Sequence, residues 1–304
     1  MKKHFKKLLL MALMAVMAVG LIACGTDKSD NESTKEEKTS VTITSLDASK
    51  NEIELEVPYN PKRIAILDLA SLDIIDELGV GDRVVGMAST SIDYLEKYSN
   101  DASIKNLGTI KEADLEAVME CEPDIIFIGG RLSKSYDALS EIAPVVYLAT
   151  DTNEGLVNSV SKNAKTIASI FGMEDKVDSL MSDFGARIDA IKKISSGKTA
   201  LVGMTTSGRF NLLGNDGRCS LIGVEAGFNN LTAAGSTSTH GNESSFETVV
   251  QQNPDYIFVM DRDSAISTAG AKTAKEIVEN ELVKTTDAYK NNHIIYLEHS
   301  NVWY

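Results

Sequence analysis

Cysteine, histidine, tryptophan and proline are all scarce in this 304-residue chain, at three, four, one and five residues. Cys24, Cys121 and Cys219 are too few for a disulfide scaffold and too far apart to offer paired zinc ligands, so free thiols are expected at Cys121 and Cys219. Basic residues are also in deficit, 30 Lys and Arg against 44 Asp and Glu, a formal charge of −14. Nucleic-acid binding calls for a basic face, so this balance argues against it. The chain lacks a GxSxG elbow, an HExxH helix and a P-loop, and so carries no marked enzyme site. An unmarked cell-surface hydrolase stays open as the alternative from another class. What the chain does have is 43% apolar and 24% charged residues, enough core for about two globular domains.

The first residues, MKKHFKKLLLMALMAVMAVGLIAC, place four lysines before an apolar run from Leu8 to Ala23. This is the pattern of a secretory signal. A run of roughly 16 residues is short for a membrane span, which takes roughly 20. Leu21-Ile22-Ala23-Cys24-Gly25 resembles the bacterial lipobox, which implies a lipidated Cys24 as the mature N-terminus. Cleavage there removes four Lys and no acid, taking the formal charge from −14 to −18. Lipid chains would then hold the protein on the extracytoplasmic face of the cell membrane. Gly25–Ser40 contains no large apolar residue and reads as a flexible tether.

The body contains a repeat. LEAVMECEPDIIFIGGR (Leu115–Arg131) and FETVVQQNPDYIFVMDR (Phe246–Arg262) align without gaps, seven of 17 positions being identical. Each copy reads as a short helix, a Pro-Asp stop and a strand apolar at every residue. Such a strand is buried on both faces, as in a parallel sheet covered by helices. RIAIL (Arg63–Leu67) and TALVGM (Thr199–Met204) read as the opening strands of the two halves, and VVYL (Val145–Leu148) and IIYL (Ile294–Leu297) as the closing ones. VTITSLDASKNEIELEVP alternates about Ala48-Ser49-Lys50-Asn51, a β-hairpin pattern. Leu156, Val160, Ala164, Ile167 and Phe171 fall at helical spacing and end at Gly172; Val177, Leu180, Met181, Phe184, Ile188 and Ile191 mark one face of a second helix.

The expected organisation is a signal peptide (1–23), a tether (24–40), an N-terminal α/β lobe (41–152), a connecting helix (153–172) and a C-terminal α/β lobe (173–304). Open parallel sheets bind ligands beyond the carboxyl ends of their strands, and two such lobes leave a cleft for a small molecule. Arg131 and Arg262 stand just past equivalent strand ends and are expected to face it. A strand-end Arg alone could equally make a surface salt bridge; a pair at matching repeat positions favours the cleft.

With lipobox, paired lobes and bridging helix in place, residues 41–304 resemble the class III substrate-binding proteins of bacterial ABC importers. Within that class the chain looks most like the ferric catecholate siderophore-binding lipoproteins that take petrobactin- and enterobactin-type ligands. The resemblance implies two Rossmann-like lobes joined by one long helix, no catalysis, no permanent cofactor and a likeness to monomeric receptors. It also implies cleft roles for Arg131 in GGR, Arg218 in DGR, Arg262 in MDR, His240 in STHG and Tyr304 in VWY, with Arg209 in TSGRF a secondary candidate. The intervals from Arg218 to His240 and from His240 to Arg262 are 22 residues each. Glu116 and Glu247, which open the repeated helices, could complement the helix dipoles; the resemblance implies docking to arginines of the permease. It further implies a Gly-rich turn and final helix after Trp303-Tyr304, which this sequence lacks.

Guanidinium groups stay charged and donate paired hydrogen bonds, which suits catecholate oxygens around Fe(III). A four-oxygen siderophore leaves two iron positions that His240 and Tyr304 would complete, whereas a six-oxygen one needs the arginines alone. Each residue has a plainer alternative. His240 lies in a Gly/Ser/Thr-rich loop, Tyr304 could cover core beside Trp303, and Arg218 could pair with Asp216. Haem or cobalamin is the alternative ligand within the fold, with His240 as an axial ligand. His293 and His299 flank a closing strand and read as structural.

Overall fold

The computed structural model describes residues 38–151, 154–232, 238–298 and 303. Cys24, the signal and most of the tether, His299 and Tyr304 lie outside them.

Strands β1 (Ser40–Leu46) and β2 (Glu52–Pro58) form the expected antiparallel hairpin, in register from Ser40 opposite Pro58 to Leu46 opposite Glu52. Asp47 sets its turn: Oδ1 accepts the amides of Ser49 and Asn51 at 2.8 and 2.9 Å. Those bonds hold the Asp47 carboxyl below its ordinary pKa.

Two sheets follow. The first has the order β5-β4-β3-β6-β7, with β3 (Ile64–Ile66), β4 (Val84–Met87), β5 (Lys105–Asn106), β6 (Ile125–Ile128) and β7 (Val145–Tyr147) all parallel. Every residue of β3, β6 and β7 is buried. Ile64, Ile66, Ile125 and Phe127 pack into one core, while Ala65, Ile126 and Ile128 pack into another on the opposite face. This is the two-sided burial that unbroken apolar strands require. Helix α1 (Leu69–Leu78) covers the first core and is capped by Asp68, which accepts the Ser71 amide at 2.9 Å.

The second sheet runs β11-β9-β8-β12-β13, with β8 (Thr199–Thr206), β9 (Arg209–Leu212), β11 (Asn242–Glu243), β12 (Tyr256–Asp261) and β13 (Ile294–Tyr296); β10 (Asn229–Asn230) joins the start of β8. Strands β10, β8, β12 and β13 are parallel, but β9 returns antiparallel to β8. Ser207 and Gly208, at φ +51° and +76°, make the two-residue turn that permits it.

Between the sheets, α2 (Leu156–Phe171) ends at Gly172 in the left-handed conformation and α3 (Glu174–Ser195) follows. The helical stripes are only partly covered. Ala164, Ile167, Phe171, Val177 and Ile188 are buried, whereas Val160, Leu180 and Ile191 are exposed. Cys121 and Cys219 are free and buried, and burial lifts the Cys219 thiol to about 12. Among the described residues, no helix is long and apolar enough to cross a membrane.

Candidate functional site

Each sheet presents a set of groups beyond its strand carboxyl ends. On the first, Asp68 after β3, Gly129-Gly130 after β6 and Leu148–Thr150 after β7 line a cavity of about 290 Å³ closed by Asn163 and Ile167 of α2. Gly129 has no room for a side chain, because a Cβ would lie 2.6 Å from Asp68 Oδ1. The glycines let the backbone pass Asp68 and turn at once into the short 3-10 helix Gly130–Ser135, which leaves Arg131 exposed at this edge.

On the second sheet, four of the expected residues belong to one connected arrangement. Arg262 follows β12, and its Nη1 donates to Thr206 Oγ1 at 3.2 Å and lies 3.6 Å from Asp263 Oδ1. Arg209 opens β9 directly opposite Thr206 in the ladder. Its Nη1 contacts Glu243 Oε2 of β11 at 2.9 Å, with both side chains well exposed. Arg218 donates from Nε to the Thr239 carbonyl at 3.2 Å, which fastens the loop carrying His240. That loop is held again where Asn211 Nδ2 donates to the His240 carbonyl at 2.9 Å. Gly241 then takes φ +74°, and a Cβ there would meet the Leu212 carbonyl at 2.8 Å, so only glycine lets the loop rejoin β11. His240 itself is exposed.

Sequence spacing does not reveal Thr206, Asn211, Glu243 and Asp263, which anchor these residues. Thr206, Asn211 and Glu243 lie on β8, β9 and β11, which the order β11-β9-β8-β12 brings alongside, whereas Asp263 is the residue directly after Arg262. Asp261 has a different task, capping the turn Arg262–Ala265 through the Ser264 amide at 3.0 Å and accepting the Ala274 amide at 2.9 Å.

Glu116 and Glu247 are exposed in the first turns of their helices, Leu115–Glu120 and Phe246–Gln252, whose caps are Asp114 and Ser245. His293 is structural as expected: Nδ1 lies 3.0 Å from the Asp255 carbonyl and its ring stacks on Tyr256. Among the described residues, no group of three or more His, Cys, Asp or Glu could hold a metal ion.

Two sheets with basic groups beyond their carboxyl edges and a helix running between them define a two-lobed solute-binding protein of the class III type. The chain belongs to the periplasmic binding protein family, whose sequence profile matches residues 64–300. It is 37% identical to the petrobactin-binding protein YclQ of Bacillus subtilis, over 98% of this chain and 93% of that one. The crystal structure of YclQ superposes with a TM-score of 0.78 over 87% of this chain and 92% of that chain. The catecholate-siderophore binding protein VctP of Vibrio cholerae superposes at 0.77 with 30% identity, covering 87% of this chain and 93% of that one. The family serves transport and is not enzymatic.

Proposed function

We propose that this protein is the extracytoplasmic, lipid-anchored receptor of an ABC importer and that its ligand is a ferric catecholate siderophore. The observation that carries the reading is the grouping of Arg209 and Arg262 at the carboxyl ends of β8 and β12, with Arg218 and His240 on the loops that β9 and β11 hold together, and Arg131 beyond the matching strand of the other sheet. YclQ and VctP, the relatives named for petrobactin and for catecholate siderophores, support it.

In this reading Arg131, Arg218 and Arg262 donate charge-assisted hydrogen bonds to catecholate oxygens, each worth about 1.5–3 kcal/mol. Arg209 contributes less, since Glu243 already neutralises it. His240 and Tyr304 complete the iron coordination of a four-oxygen ligand. Iron arrives with its siderophore as cargo. Glu116 and Glu247 meet the permease, Cys24 carries the lipid, and the receptor acts as a monomer.

Gel filtration of the protein mixed with ferric enterobactin tests the reading: the red iron–catecholate absorbance should co-elute at one equivalent. Co-elution of haemin but not of ferric enterobactin would replace it with the haem alternative.

A further inference from the structure

Asp263 is the most deeply buried acid near the site, its side chain 6% exposed, although it follows the partly exposed Arg262 directly in sequence. Burying a carboxylate is unfavourable unless charge and hydrogen bonds compensate. Three groups do so here. Oδ2 accepts the Ser207 amide at 2.7 Å, while Oδ1 lies 3.5 Å from Thr206 Oγ1 and 3.6 Å from Arg262 Nη1. Thr206 Oγ1 in turn accepts from Arg262 Nη1 at 3.2 Å. One carboxylate therefore touches both the β8–β9 turn, where Ser207 sits at φ +51°, and the guanidinium that follows β12.

We propose that Asp263 is a positioning residue for Arg262. It locks one edge of the guanidinium against Thr206 so that the side chain meets its anionic ligand already ordered. The proposal rests on the reading that Arg262 touches the ligand.

Two other roles make different forecasts. If Asp263 only held the β8–β9 turn, the Ser207 bond would be its whole task, and Asp263→Asn would keep that bond through its amide oxygen. If Asp263 only damped the positive charge of Arg262, removing its charge would tighten binding of an anion. Positioning requires weaker binding when the charge is lost, and only while Arg262 is present. Ordering one rotamer-rich side chain at an interface costs a factor of roughly threefold to tenfold in affinity, which sets the size of the effect.

The test is a double-mutant cycle of Arg262→Ala and Asp263→Asn on the full-length protein, titrated with ferric enterobactin. Positioning gives roughly a threefold to tenfold loss for Asp263→Asn alone and no further loss in the Arg262→Ala background. An equal loss in both backgrounds, or tighter binding by the single variant, overturns it. If Arg262→Ala is itself silent while Arg218→Ala weakens binding, the assignment of Arg262 to the ligand has failed and the proposal falls with it. That outcome is distinct from a failure of positioning, in which Arg262→Ala weakens binding and Asp263→Asn does not. Should Asp263→Asn not fold, Thr206→Val removes the hydroxyl that Nη1 donates to. In the same cycle it should weaken binding only when Arg262 is present; a loss that persists without Arg262 overturns the proposal.

Discussion

Asp124 and Asp255, which pair in the sequence repeat, grip the opening strands of their two sheets in the same way. Asp124 Oδ2 accepts the Lys62 and Arg63 amides at 2.7 and 2.9 Å, and Asp255 Oδ2 accepts the Thr199 amide and hydroxyl at 2.8 and 2.9 Å. The Pro-Asp step thus ends a helix and also fastens the start of the neighbouring parallel strand. Asp255→Ala should cost about 1–2 kcal/mol at neutral pH, from the loss of a carboxylate that satisfies a strand-end amide. The bonds from Thr199 hold the Asp255 carboxyl below its ordinary pKa. A depressed folded value adds stability above the unfolded pKa, near 3.9, and that stability is lost as pH falls through the folded value. Urea melts of wild type and Asp255→Ala should therefore converge below about pH 4. A gap that persists unchanged at low pH would assign the effect to packing.

Asp73 makes the opposite forecast. Partial desolvation by its neighbours raises the pKa of this solvent-exposed carboxyl, and repulsion from Asp76 and Glu77 adds to the rise against the opposing hydrogen bond from Tyr94, an effect that solvent screening keeps small. A raised folded value means that the stability gained from protonated Asp73 is present below the unfolded pKa and is lost as pH rises through the folded value. Asp73→Asn removes that loss and keeps an acceptor for Tyr94. The variant should melt higher than wild type at pH 7 and no higher at about pH 3, as thermal melts at the two pH values would show.

Glu225 ties the start of α2 to the segment that precedes β10. Its Oε1 accepts the Val157 amide at 3.2 Å in the first turn of α2, where a carboxylate complements the helix dipole. Glu225→Ala should destabilise the protein by about 0.5–2 kcal/mol, measured by denaturant unfolding, while Glu225→Gln should recover part of it.

The arginines should separate by their partners. Arg131→Ala, Arg218→Ala and Arg262→Ala should each weaken ferric catecholate binding by roughly tenfold to a hundredfold, the equivalent of one charge-assisted hydrogen bond. Arg209→Ala should change it by less than about fivefold, because Glu243 offsets its charge and solvent screens what remains on so exposed a side chain. Isothermal titration across the four variants checks the ranking. His240→Ala should weaken a two-catechol ferric ligand, with a shift in its visible absorption, and leave ferric enterobactin unaffected.

The parallel core was legible because its strands are apolar at every residue, which only burial on both faces explains. Glycine ended α2 where expected, at Gly172. Strands β10 and β11 escaped notice because Asn229-Asn230 and Asn242-Glu243 carry no hydrophobic pattern and pair for only two residues each. Val160, Leu180 and Ile191 kept the helical spacing without the burial it suggests, since periodicity marks a face and does not identify what covers it. At the site, Arg131 and Arg262 emerged from the repeat, but the partners of Arg262 did not. Thr206 lies 56 residues away in sequence and reaches Arg262 because β8 and β12 are adjacent.

The most direct measurement uses Trp303, the single tryptophan, half-buried against the core of the second sheet and next in sequence to the proposed ligand Tyr304. Its fluorescence should fall saturably on titration with micromolar ferric enterobactin, since the iron–catecholate chromophore quenches a nearby indole. An unchanged signal with ferric catecholates, together with quenching by haemin, would contradict the siderophore assignment.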